Sequence, residues 1–294
     1  MADEEMDIAV IIASTGRAAE IDDLIVCLSR QTKMPCTVIL SVATAADVPE
    51  NVPPWIEILI GEKGLTKQRN RGLEAVLHRC DIVLFYDDDF IPDQFSLAGI
   101  ERLFMRYPHV VSATGTVLAD GVKSGGIGFD TGYALVREHE AGPPQALVVN
   151  EILWAYGCNM AFRTAAVQDL RFDENLILHG WQEDMDYVAR ISKRGAVVKT
   201  NAFHGVHRGV SKARSSGVPL GFAQIVNPAY LVRKGAMTYK KAATLMFRNF
   251  IANHGRLFWP EPFIDRRGRV LGNWHGVLHL LRGRADPKDV LRLL

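Results

Sequence analysis

The chain has 294 residues, 48% of them hydrophobic and 23% charged, the balance of a folded protein rather than a disordered one. Its 34 Lys and Arg against 33 Asp and Glu leave a formal net charge of only +1. No apolar run reaches the ~18 residues of a membrane-spanning helix, and the acidic start Asp3-Glu4-Glu5 lacks the basic-then-apolar order of a signal peptide. Four scattered cysteines (Cys27, Cys36, Cys80 and Cys158) form no Cys-x-x-Cys pair, so neither a disulfide framework nor a zinc ribbon is expected and a reducing cytoplasm suits the chain.

The first half alternates apolar runs with helical patterns. Asp7–Ala13 is a continuous apolar strand of the kind buried on both faces of a parallel sheet. Ser14-Thr15-Gly16-Arg17 follows, then a helix with Ile21, Leu24, Ile25 and Leu28 at helical spacing. Thr37–Val42 and Ile56–Ile60 read as strands, Leu65–Cys80 as a helix and Asp81–Tyr86 as a fourth strand. This alternation predicts an α/β fold, an open and mostly parallel Rossmann-like sheet with helices on both faces. Ligands of such sheets bind beyond the carboxyl ends of the strands. From Val110 to Arg163 the pattern breaks into shorter strands and loops, with a Gly-rich stretch at Gly121–Gly132. Ala196–Thr200 reads as a strand and residues 212–222 as a basic linker. Thr238–Asn253 reads as an amphipathic helix, with Ala243, Phe247, Phe250 and Ile251 opposite Lys241, Thr244 and Arg248. Such a helix either packs on the domain or lies on a membrane. Two units result, 1–211 and a basic, mainly helical 212–294.

Four segments carry candidate chemistry. Asp87-Asp88-Asp89 ends the fourth strand, where mutual repulsion makes sense if a divalent cation neutralises the carboxylates. A solvated acidic turn is the plainer account. Trp181-Gln182-Glu183-Asp184-Met185-Asp186 opens a helix, and acids there also answer the helix dipole. His204 and His207 follow the Ala196–Thr200 strand, and one of them could complete a metal sphere. Gly64–Asn70 places Lys67 and Arg69 at a helix start, an anion site without the Gly-Lys-Ser/Thr ending of an ATPase loop.

Taken in order, these pieces resemble the family 2 glycosyltransferases of GT-A fold, and more loosely the bacterial enzymes that assemble exopolysaccharide and other surface glycans. The likeness runs from residue 7 to 210 through Ser14–Arg17, Gly64 with Arg69-Asn70, Phe85–Asp89, Gly157–Arg163 and Gly180 with Glu183-Asp184. It implies an inverting, metal-dependent hexosyltransferase that moves a sugar from a nucleotide-diphosphate sugar, UDP-linked by preference. The acceptor would be a hydroxyl of a glycan or of a polyprenyl-diphosphate-linked glycan. By the same resemblance Asp87 and Asp89 form the Asp-x-Asp pair that holds Mg²⁺ or Mn²⁺, with His207, or else His204, as the further ligand. Asp88 lies nearer the sugar or ribose, and Asp184 is the base with Glu183 the second choice. Ser14, Thr15, Arg17, Lys67 and Arg69 line the nucleotide, while Gly157, Asn159, Met160 and Trp181 shape the acceptor side. One departure stands out: Leu40-Ser41-Val42-Ala43 lacks the family's base-reading Asp, leaving Ser41 as a weak substitute.

The charge is also polarised. Cut at Asp186, where the contrast is greatest, residues 1–186 hold 14 basic and 29 acidic side chains and residues 187–294 hold 20 and 4. The basic half calls for an anionic partner. No nucleic-acid-binding motif is present. The glycosyltransferase resemblance implies the anionic cytoplasmic membrane face, bound peripherally where a lipid-diphosphate-linked acceptor would wait. The alternative is that the basic half serves the fold or an acidic protein partner. A sugar nucleotidyltransferase of related fold and a non-catalytic anion- or membrane-binding protein are the rival readings.

Overall fold

A computed structural model describes residues 5–143, 145–210 and 216–294. Strands β1 (Ile8–Ser14), β2 (Thr37–Val42), β3 (Ile56–Ile60) and β4 (Ile82–Asp87) run parallel in the order β3-β2-β1-β4. Because alternate side chains of a strand face opposite ways, β1 feeds two cores. Ile8, Val10 and Ile12 pack with Ile21, Leu24 and Leu28 of α1 (Ala18–Leu28) and with α3 (Ser96–Arg106). Ala9 and Ile11 pack with Leu73 and Val76 of α2 (Leu65–Val76) and with Tyr187 and Ile191 of α5 (Glu183–Ile191). Burial on both faces is why these strands read as unbroken apolar runs.

The second half of the sheet is mixed. It comprises β5 (Phe90–Pro92), β6 (Val110–Asp120), β7 (Val149–Glu151), β8 (Asn159–Arg163) and β9 (Ala196–His207). Strand β8 sits antiparallel between β4 and β6, β6 and β9 are parallel, and β5 and β7 pair antiparallel with β9. Parallel order therefore holds around β1, and the antiparallel strands extend the sheet on the β4 side. Helix α4 (Phe129–Glu140) occupies part of the segment read above as loops and short strands. It buries only Gly132 and Val136, too sparse a stripe to announce a helix.

The C-terminal extension is helical, as expected: α6 (Gly217–Arg233), α7 (Tyr239–Gly255) and α8 (Arg266–Leu281). Helix α6 starts at Gly217, so the second part of the expected 212–222 linker is helix, while residues 212–215 and the 211/212 boundary lie outside the described residues. Glycines that look like linker chemistry are instead packing chemistry. A Cβ on Gly221 would lie 2.1 Å from the Arg269 carbonyl oxygen, and one on Gly272 2.1 Å from that of Val218, so α6 and α8 approach backbone to backbone. The extension is fastened to the sheet domain through Leu176, Leu231, Met237 and Ala242, and through Lys234, which pairs with Asp173 at 2.6 Å and Asp186 at 2.8 Å. No helix among the described residues is long and apolar enough to cross a membrane.

Candidate active site

The site forms where β1 and β4 end side by side, Ala13 opposite Asp87. Beyond them the acidic triplet divides its contacts. Asp88 accepts from Ser14 Oγ at 2.5 Å and from Arg17 at 2.7 Å. Asp89 accepts from the Val210 N–H at 2.8 Å and from Arg17 at 3.3 Å. Burial and the Asp89 charge push the Asp88 carboxyl up to about 6, against Arg17 and Ser14. For Asp89, burial is outweighed by His207 and Arg17, which hold it below the usual range.

Strand β9 runs through both candidate histidines and sends them to different places. Its long pairing with β6 and β5 carries His207 to the triplet, with Nε2 3.4 Å from Asp89 and 3.9 Å from Asp87. His204 lies instead beside Asp93, Nδ1 to Oδ2 3.7 Å, and against the His139 ring at 4.3 Å. His207 Nδ1 is 3.2 Å from Asp120, whose other oxygen accepts from Tyr156 at 2.8 Å. Asp120 thereby turns Nε2 toward the acids, as carboxylate partners do for metal-binding imidazoles. Burial opposes the charged imidazole, yet Asp120, Asp89 and Asp87 push it up to about 10. Asp120 ends β6 with no motif around it, so no spacing pattern in the sequence marks it.

Two carboxylates and an imidazole are a donor set that suits a hard or borderline divalent cation. Among the described residues, however, no three His, Cys, Asp or Glu side chains are gathered into a metal-holding cluster. Arg17 and Arg69 take the carboxylates instead.

The opposite side of the site is built on α5. Leu178 and Gln182, with φ of 62° and 72°, hold left-handed conformations that cost L-residues energy and that cluster at functional sites. They set the first turn so that Asp184 accepts from the Gly157 N–H at 3.2 Å and the Met185 N–H at 2.7 Å. Asp184 is half-buried, and burial raises its carboxyl above the ordinary range. Glu183 is buried against Arg69, and burial pushes its carboxyl up to about 8 although Arg69 opposes the shift.

Arg69 is the strut between the two sides. Only 2% exposed, it pairs with Glu183, donates to Asp87 at 2.9 Å and to the Gly157 carbonyl at 3.0 Å, and lies against the Phe85 and Phe172 rings. This corrects the reading of Arg69 as a nucleotide contact: its donors are spent inside the protein. Lys67 is half-buried and paired with Glu62 outside this cluster, and the Leu65 N–H at the helix start donates to the Leu178 carbonyl. Met160 is also corrected. Paired opposite Phe85 and fully buried in the α2–α5 core, it presents nothing to an acceptor. Asn159 is buried too, bonded to Thr114 at 3.0 Å with its Nδ2 unpartnered. Trp181 is half-buried, its carbonyl accepting from Asn227 at 2.8 Å. Among the described residues the Thr15 hydroxyl reaches Gln68, at 3.4 Å. Ser41 is fully buried and its hydroxyl accepts from Arg71, so it offers nothing to a base. The nearest acid after β2 is Asp47, whose oxygens already accept from the Gly16 and Thr44 N–H groups.

No protein-family profile and no curated protein matches the sequence. Solved structures do. Staphylococcus aureus TarS 1–349 in complex with UDP-GlcNAc is 12% identical, with a TM-score of 0.54 over 95% of this chain and 93% of that one. The mannosyltransferase PcManGT from Pyrobaculum calidifontis, in complex with GDP-Man and Mn²⁺, is 13% identical with a TM-score of 0.55 over 94% and 88%. The fold is GT-A. GalNAc-T7 with UDP, GalNAc and Mn²⁺ matches the same GT-A architecture at 10% identity and a TM-score of 0.56, over 99% of this chain but 57% of its own. The chain likewise spans 44% of the longer TarS structure. The expected fold class, GT-A sheet plus C-terminal helices, is thus borne out.

Proposed function

We propose that the protein is a glycosyltransferase that moves a sugar, with inversion, from a nucleotide-diphosphate sugar to a hydroxyl of a glycan or lipid-linked acceptor. The observation that carries the reading is that His207 Nε2 lies 3.4 Å from Asp89 and 3.9 Å from Asp87 on one side of Arg69, with Glu183-Asp184 on the other, at the strand ends of a GT-A sheet. Asp87, Asp89 and His207 would hold Mg²⁺ or Mn²⁺; once bound, the ion offsets the charge that collects on the departing diphosphate. Ser14 and Arg17 stand nearest the nucleotide, held by Asp88. Asp184 takes the acceptor proton, because it is the half-buried carboxylate held by two backbone N–H groups. Glu183 is committed to Arg69 and acts as a positioning group.

A UDP-sugar is the favoured donor. The solved structures above carry UDP-GlcNAc and GDP-Man, so both nucleotides belong in the test. Transfer and hydrolysis should be followed for UDP- and GDP-sugars with Mn²⁺, with chelator, and with Asp89→Ala. Expected are turnover of one nucleotide class, loss on chelation and weakened Mn²⁺-dependent nucleotide binding in the variant. Inertness toward every nucleotide sugar, with no nucleotide binding by calorimetry, would sink the proposal.

A further inference from the structure

We infer that helices α7 and α8 form a docking surface for an anionic lipid bilayer. On α8, Leu271, Trp274, Leu278 and Leu281 recur at three- and four-residue steps, which places them on one face. That face points outward, with exposures of 53%, 49%, 45% and 79%. On α7 apolar side chains face outward as well. Phe247 and Ile251 are 67% and 52% exposed, whereas Ala242 and Asn253 are buried and Leu245 and Met246 pack inward toward Leu176 and Leu231. Phe250 joins the two rows, its ring meeting that of Trp274 edge-on at 5.3 Å. Between the helices Phe258 and Trp259 stand 77% and 79% exposed. A patch of this extent on a chain of ordinary composition marks an interaction surface.

Its charge names the occupant. Exposed Lys240, Arg248 and Arg267 belong to the same helices and exposed Arg282 caps α8; none has an ion pair with any described residue. The few acids here are spent: Glu261 on Arg266, Asp265 on the N–H groups of Gly217 and Gly268, and Asp289 on His279. Outward aromatic and aliphatic side chains flanked by cations match a bilayer interface, acyl chains taking the apolar rows and headgroup phosphates the cations. A second copy docked by two-fold symmetry would set these cations against themselves. Nucleic acid has no use for the aliphatic row. This surface stands independently of the transfer chemistry.

The test is flotation of the whole protein with vesicles of phosphatidylcholine alone and of phosphatidylcholine with phosphatidylglycerol, at low and high salt. Binding at least about tenfold tighter to the anionic vesicles, weakened by salt, is expected. The double variant Phe247→Ser/Leu281→Ser should lose about tenfold or more of that affinity, with melting temperature and nucleotide binding unchanged. No binding to anionic vesicles overturns the inference. So does undiminished binding by the double variant, self-association in sedimentation velocity that the variant abolishes, or RNA binding removed by the same two changes.

Discussion

The two ends of this molecule carry opposite charge and manage it in opposite ways. At the strand ends each acid has a partner within the protein: Asp88 has Ser14 and Arg17, Asp89 has Val210 and His207, Asp87 and Glu183 share Arg69, and Asp184 has two backbone N–H groups. On α7 and α8, Lys240, Arg248 and Arg267 point to solvent beside exposed aromatics. Buried charge must be satisfied where it stands, since an uncompensated one is expensive. Exposed charge needs no internal partner and remains free for an external one. A net charge of +1 conceals this division, because the two halves cancel.

The comparison can be broken most sharply at its acidic end. Asp184→Asn should lower transfer about 10²–10⁴-fold, the usual contribution of a positioned base, while nucleotide-sugar affinity by calorimetry stays near wild type. Turnover close to wild type would remove Asp184 from the role. Because burial raises its carboxyl, the acid limb of kcat/KM should lie above the ordinary Asp range of about 4. Arg69→Ala should cost about 3–5 kcal/mol in urea unfolding, since it strands Glu183 and Asp87 together. A loss below about 1 kcal/mol would show that the strut is dispensable.

Asp173 sharpens the junction between the two ends. It accepts from Tyr230 at 2.7 Å and Lys234 at 2.6 Å. Burial raises its carboxyl, but these partners outweigh that and hold it below the usual value. A depressed folded-state value means the contribution is present above the ordinary Asp range and lost as pH falls through the folded-state value. Asp173→Asn should therefore cost about 1–3 kcal/mol at neutral pH, less as the solution is acidified. A cost independent of pH would assign the effect to packing. At the basic end, Arg248→Ala should change stability by less than about 0.5 kcal/mol. A larger loss by thermal denaturation would mean that this cation has an internal role after all.

Much of the fold is legible in the sequence because local rules act alone there. The apolar runs at β1 and β4 announce strands buried on both faces, and an acidic triplet at the end of one announces a site. The reading failed where the signal is not local. Helix α4 buries two residues and so shows little periodicity. The glycines of α6 resemble a linker until α8 is placed against them. Asp120 acquires meaning only through His207, far along the chain.

By itself, then, the sequence determined the alternating α/β order, the acids at a strand end and the split of charge between the two halves. All three depend on side chains close together in the chain. Only the tertiary structure decided that His207 and not His204 meets the triplet, that Arg69 is a buried strut, that Met160 is core, and that Phe247 and Ile251 of α7 face outward. Each of these turns on which distant segment supplies the neighbour: β6 and β5 for the histidines, α5 for Arg69, β4 for Met160, α6 and α8 for α7. A strand's alternation or a helix's stripe states that a side chain has a face, and packing selects what that face meets.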